Sequence, residues 1–183
     1  MKKKKLRISY TLLDLWSKGK TDQAIATYFH LPTPTNEAMR YGRAKHEEVA
    51  EVIEKTGQLP GWLSHIKLNA PQPEKKYIVE YNEHFDVSAI LDCLDVPRLY
   101  EFKFSTSDSL EWAGKGQIPF YFLVAELAGL KIDKAFLIRY DKSTKKSDFT
   151  IVWNSPDKVE RAKNMIDSLA PEILDHFIAQ GLL

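Results

Sequence analysis

The sequence predicts an α/β domain: a central mixed β-sheet flanked by helices. Three observations predict it. Residues 87–94 and 99–104 are apolar runs separated by Asp95-Val96-Pro97-Arg98, and they read as a β-hairpin. Helix-like and strand-like segments are interleaved along the chain, the pattern of a mixed α/β layer structure. One helical segment, 117–130, is apolar nearly all round and must be covered by other layers.

The elements follow in order. Residues 9–16 form a short helix, with Ser9 or Tyr10 near its cap and Leu12, Leu13, Leu15 and Trp16 as its apolar set. A second short helix covers 21–29. Leu31-Pro32-Thr33-Pro34-Thr35 is a break. A long helix then runs over 36–56, capped by Asn36 and stopped by Gly57. It carries Gly42-Arg43-Ala44-Lys45-His46-Glu47. Residues 66–68 are a candidate short strand, 71–76 a loop and 76–81 a strand, and Asn82-Glu83 turns into the hairpin. Residues 105–116 are polar and loop-like, with a helical turn at 110–113. Pro119 fits the first turn of the 117–130 helix. Strands at 133–140 and 148–153 precede a final helix over 156–180, with an interruption expected at Pro171. There is no internal repeat and no linker, so one domain is expected.

A chain of 183 residues can bury a core of ordinary size, and 44% hydrophobic with 28% charged residues argues against disorder. The net charge of +1 does not by itself mark a nucleic-acid binder. The charge is uneven, however. Lys2 to Lys5, Arg7, Lys18 and Lys20 face only Asp14 near the start, either as a solvated tail or as a phosphate-gripping arm. Cys93 is the single cysteine, which excludes an intrachain disulfide, a Cys-ligated zinc site and an iron–sulfur cluster. A reducing, cytoplasmic location is expected. No apolar run approaches membrane-spanning length, and no membrane partner is expected.

The chemistry concentrates on the hairpin. Strand side chains alternate, so Glu101 and Lys103 share one face while Tyr100, Phe102 and Phe104 face the core. Asp92 lies in the preceding apolar run, where an unpaired carboxylate is costly. Residues opposite one another on antiparallel strands have Cβ atoms about 4.5–5.5 Å apart, close enough for two carboxylates to share an ion. Hydrolysis of a phosphodiester needs an activated water and compensation of growing negative charge. Mg²⁺ or Mn²⁺ on carboxylate oxygens supplies both. Lys103 could orient the water or stabilise charge on the phosphate. Opposition of Asp92 and Glu101 requires a tight turn at Val96-Pro97. Proline is disfavoured at the second central position of common turns, so a shifted register is the alternative. A Glu-x-Lys pair alone carries little weight, because Glu74-Lys75-Lys76 repeats it in a loop-like stretch.

In this order, Asp92 followed by Glu101-Phe102-Lys103 resembles the PD-(D/E)xK nuclease core. Gln117-Ile118-Pro119-Phe120-Tyr121 resembles the Q-x-x-x-Y motif of RecB-type exonucleases. Gly42-Arg43-Ala44-Lys45-His46 resembles the G-x-x-x-H helix of that branch, and Ser9-Tyr10-Thr11 its S-Y-S opening. With one cysteine, the resemblance is to members without an iron–sulfur cluster. It implies a restriction-endonuclease-like core and a single nuclease domain over 1–183. That domain divides into a helical, basic segment (1–35), a catalytic core (36–153) and a C-terminal helix (154–183). It also implies a Mg²⁺- or Mn²⁺-dependent exonuclease acting on single-stranded DNA or DNA ends in repair, recombination or defence. Asp92, Glu101 and Lys103 would be catalytic. His46, Asp92, Glu101 and the Phe102 carbonyl would ligate the metal. Gln117 and Tyr121 would line the site or contact DNA, and Arg43 and Lys45 would contact phosphates. No P-loop is present, so the expectation is either a stand-alone nuclease module or one subunit of a larger machine, with a helicase or another complex subunit as partner. Tyr10, Trp16, Trp62 and Trp112 are candidates to stack on unpaired bases. Two other readings stay open: a non-catalytic nucleic-acid-binding or structural subunit on the same fold, and an unrelated small-ligand enzyme in which Glu101 and Lys103 form a structural ion pair.

Overall fold

The computed structural model describes residues 5–63, 66–104 and 109–183, except the side chains of 109, 111 and 112. Lys2 to Lys4 and the Trp112 side chain, named above as candidates, lie outside the described residues. Six strands form one mixed sheet: β1 (Leu6–Ser9), β2 (Gln72–Glu80), β3 (Phe85–Asp95), β4 (Arg98–Lys103), β5 (Lys134–Asp141) and β6 (Lys146–Trp153). The helices are α1 (Tyr10–Ser17), α2 (Thr21–Tyr28), α3 (Glu37–Thr56), α4 (Ser109–Lys115), α5 (Gln117–Leu127) and α6 (Pro156–Ala179). The mixed α/β fold expected from the sequence is the one observed.

The path β1-β3-β4-β5-β6 is parallel at β1–β3 and β4–β5 and antiparallel at β3–β4 and β5–β6. The remaining strand, β2, runs antiparallel along the other edge of β3. β1 and β4 therefore share one edge of β3. β1 takes Phe85 to Ser88 and β4 takes Cys93 to Asp95. The stretch between them, Ala89 to Asp92, is where the two neighbours part. The β3–β4 register pairs Cys93 with Tyr100, Leu94 with Leu99 and Asp95 with Arg98, so one further step sets Asp92 opposite Glu101. No shift of register is needed. The Val96–Pro97 peptide is cis.

The centre of the sheet, at β3, β4 and β5, is covered on both faces. One core holds Leu91, Leu94 and Leu99 with α1, α5 and α6. The other packs Tyr100, Phe102 and Phe104 against Val49 and Ile53 of α3. Leu91 and Cys93 would share a face of a regular strand, yet they belong to different cores, so β3 rotates about its axis at Asp92. Glu101 is consequently not on an open face. It is 2% exposed.

Several expected boundaries differ. β1 was not expected: four residues are too few to show a period, and its partner lies far along the chain. β2 begins at Gln72, so the 71–76 loop is mostly strand, and 66–68 forms none. The helical turn at 110–113 extends to the whole of α4. α6 runs unbroken through Pro171, held by buried Ile166, Ala170, Ile173 and Phe177 along one face. The long helix is capped as expected: the Asn36 side chain accepts the Met39 N–H at 2.8 Å, and Gly57 closes it at φ 67°. Among the described residues, no helix is long and apolar enough to cross a membrane.

The hairpin turn is fixed by Asp95, 1% exposed. Its carboxylate accepts the backbone N–H groups of Asn69 at 3.2 Å and Ala70 at 2.8 Å, and pairs with Arg98 at 2.6 Å. Asp95→Ala should destabilise the protein by about 1–3 kcal/mol, because the charged hydrogen bonds that this buried carboxylate accepts from Asn69, Ala70 and Arg98 are lost. Urea unfolding measures it, and a change near zero would show that the turn does not depend on Asp95.

Candidate active site

Glu101 is the centre of the cluster. The Lys103 ammonium donates to its Oε1 at 2.7 Å, and the Gln117 amide donates to the same oxygen at 2.9 Å. Lys103 donates in turn to Gln117 Oε1 at 2.8 Å, so three side chains close a ring of hydrogen bonds. Gln117 opens α5, and its second amide hydrogen goes to the Tyr121 hydroxyl at 2.6 Å, four residues on and on the same helix face. The other oxygen of Glu101, Oε2, is buried with no hydrogen-bond partner.

Asp92 stands beside Glu101 where β3 and β4 part. Its Oδ2 accepts the Phe102 backbone N–H at 2.8 Å, taking the place of the ladder bond that ends at Cys93–Tyr100. His46 comes from α3, with Nδ1 3.4 Å from the same Oδ2 and its ring edge-on to Phe104 at 4.9 Å.

Burial raises Glu101 above the usual carboxylate range, and the neighbouring Asp92 raises it further. Burial likewise raises Asp92, against the pull of Lys103 and the Phe102 N–H. Burial alone would lower Lys103, but Glu101 and Asp92 outweigh it and keep the ammonium above its ordinary value. Burial lowers His46, favouring the neutral imidazole.

The structure therefore brings Asp92, Glu101, Lys103, Gln117, Tyr121 and His46 together. Among the described residues, however, no group of three or more His, Cys, Asp and Glu side chains is disposed to hold a metal ion. The expected ligand trio of His46, Asp92 and Glu101 is not preassembled, since His46 packs against Asp92 itself. Two facing carboxylates remain, one with a buried oxygen no protein group satisfies. Hard divalent cations suit that donor set.

No protein-family model matches the chain, and no curated protein matches its sequence significantly. Solved structures do match. The alkaline exonuclease LHK-Exo from Laribacter hongkongensis superposes with a TM-score of 0.54 at 11% identity, over 96% of this chain and 91% of its own. The same enzyme in complex with dAMP gives 0.55 at 12%, over 94% and 90%. A phage-related exonuclease from Haemophilus somnus gives 0.51 at 12%, over 93% and 82%. The fold is shared with exonucleases.

On this fold, the other expected site residues fall as follows. Arg43 is exposed on α3, and Lys45 is engaged by Glu48. Among the described residues, neither bonds to the Glu101 cluster. Tyr10 is buried, and Trp16 packs edge-on against His176 and Phe177, so neither presents a ring for base stacking. Trp62 lies between Phe104 and Tyr140, near the site.

Two contributors escaped sequence reading. Glu74, dismissed with its Lys as part of a loop, lies on β2 across from Asp92, and its charge acts on both Asp92 and His46. The other is the contact between Tyr10 and Gly116. Gly116 is the residue before Gln117, and a Cβ there would overlap the Tyr10 hydroxyl and approach its Cζ to 2.9 Å. Ser9 caps α1 by accepting the Leu12 N–H, so the Ser9-Tyr10 pair positions the start of α5. Nothing local in the sequence pairs Tyr10 with a glycine so distant.

Gly116→Ala should cost about 1–3 kcal/mol by overpacking and lower the melting temperature by about 3–10 °C. Adding Tyr10→Phe should restore part of that loss, because the hydroxyl is the worst overlap. Thermal unfolding of the single and double variants checks it; equal melting temperatures for Gly116→Ala and the parent would refute the close approach.

Proposed function

We propose that this protein is a Mg²⁺- or Mn²⁺-dependent nuclease of the RecB-like exonuclease type, hydrolysing DNA phosphodiester bonds on single strands or at DNA ends. The observation that carries the reading is the divided carboxylate of Glu101. One oxygen is held by Lys103 and Gln117, and the other is buried, unpartnered and beside Asp92. Similarity of fold to exonucleases supports it, and one of those neighbours was crystallised with dAMP.

Asp92 and Glu101 would hold the ion, with His46 and the Phe102 carbonyl as further donors. Such an ion neutralises phosphate charge and lowers the pKa of a bound water. The chain's own groups do the rest. Glu101 is fixed by Gln117, which Tyr121 anchors. Lys103 is a hydrogen-bond donor held at the same carboxylate, so its positive charge sits where negative charge grows on the phosphate. The water oxygen bonds to phosphorus as the bond to the leaving oxygen breaks, and that oxygen takes up a proton. Exposed Arg43 would contact phosphates of the bound strand. A helicase or other complex subunit would supply unwound DNA.

Labelled single- and double-stranded DNA incubated with Mn²⁺ or Mg²⁺ should be degraded, and EDTA should abolish degradation. Lys103→Ala should lower the rate by about 100-fold or more with the fold intact by circular dichroism. Absence of metal-dependent cleavage on both substrates would overturn the reading. Full activity in Lys103→Ala would remove Lys103 from the chemistry.

A further inference from the structure

The edge strand β6 leaves an apolar face open. Phe149, Ile151 and Trp153 alternate along it and are 51%, 38% and 58% exposed. The core under α3 covers the same face of the sheet as far as Ile138 on β5 and stops there. Beside the open residues, Phe136 lies 6.3 Å from Phe149, and the Lys134 ammonium sits over the rings of both Phe136 (5.4 Å) and Trp153 (4.7 Å).

A line of ring contacts, passing through buried Phe104, joins this patch to His46. Phe136 and Tyr140 project from the same face of β5. Tyr140 meets Trp62 at 4.6 Å, Trp62 meets Phe104 at 6.0 Å, and Phe104 meets His46 at 4.9 Å. From Lys134 to Tyr140 the strand rises about 20 Å, enough for several nucleotides of an extended strand.

Charge decides which partner suits it. Residues 131–153 hold six basic and three acidic side chains, while the whole chain is nearly neutral. Asp148 is taken by Arg139, and Asp141 accepts hydrogen bonds from Ser143. Among the described residues, Lys134, Lys142, Lys145 and Lys146 have no carboxylate partner, and Lys142 lies over the Tyr41 ring at 5.5 Å. Aromatic rings interleaved with uncompensated lysines fit a polyanion carrying flat apolar groups. A second copy of the chain would bring the same lysines face to face.

We propose that the β5–β6 face is a stacking platform for single-stranded DNA, with bases on Trp153, Phe149 and Phe136 and phosphates at Lys134 and Lys142. This rests on the nucleic-acid reading above and adds the surface that takes the strand.

The test uses fluorescein-labelled oligo-dT of twenty nucleotides in EDTA, so that binding is read by anisotropy without cleavage. Phe149→Ala with Trp153→Ala should weaken binding by about tenfold or more, with circular dichroism and melting temperature unchanged. Lys134→Ala with Lys142→Ala should make the dependence of log affinity on log salt shallower by about 1.4. Unchanged oligo-dT affinity in the aromatic variant overturns the platform. So does a parent dimer, seen by sedimentation, that the aromatic variant converts to monomer at unchanged affinity. Failure of the nuclease reading looks different: no cleavage with metal, while the aromatic variant still loses oligo-dT. Cleavage that depends on Lys103, with normal oligo-dT binding by the aromatic variant, sinks the platform alone.

Discussion

Glu101 is a carboxylate at the centre of the sheet, where both faces are covered, and the arrangement around it answers that constraint. Moving such a group out of water costs several kcal/mol even after relaxation. Lys103 and Gln117 offset part of that on one oxygen only. Gln117 can do so as the first residue of α5, directly after Gly116, where the Tyr10 ring packs too close for a Cβ. Tyr121 then takes the second amide hydrogen. A short β1–α1 segment at the start of the chain, a glycine before α5 and a tyrosine one turn into it are thus tied to one carboxylate.

The second constraint is the fork beside β3. A sheet that continued its ladder past Cys93–Tyr100 would leave no room for side chains between the strands. Here β4 departs, and the Asp92 carboxylate takes the Phe102 N–H that the ladder no longer satisfies. This keeps Asp92 within the sheet edge with its side chain mostly buried, 17% exposed. Ligand sites concentrate where neighbouring strands diverge for this reason.

Much of this was legible in the sequence. Alternation placed Glu101 and Lys103 together, the hairpin brought Asp92 near Glu101 with its register left open by Pro97, and a spacing of four set Gln117 and Tyr121 on one helix face. These are local relations, readable from periodicity. The coverage of both faces of β4 was not, because the same alternation fits a strand with one wet face. β1 was not either, since Leu6 and Ile8 acquire meaning only beside Phe85 and Val87. Glu74 was misread because Pro73 and the neighbouring lysines look like a loop, and its positive φ of 46° marks an irregular strand. Tyr10 looked available for stacking because burial by a distant helix leaves no trace in its own neighbourhood.

The balance of charge in the cluster bears on which kind of protein this is. A purely structural pair would need one carboxylate for one ammonium, and apolar residues of similar size would be at least as stable. Here Asp92 and Glu101 share the nearby ammonium of Lys103; burial raises both carboxyls, Asp92 raises Glu101 further, and a side-chain hydrogen bond with Glu101 lowers Asp92. Glu101 Oε2 is left without a donor although donors were within reach of its twin. Such an excess of buried negative charge lowers stability unless a cation completes it, and residues that break the rules of good packing cluster where a site needs them. A divalent ion would satisfy the orphan oxygen and cancel the repulsion between the carboxylates in one step. That unsatisfied oxygen beside a second carboxylate is the ground on which the proposed metal site rests, against the reading of Glu101 and Lys103 as an ion pair of the fold.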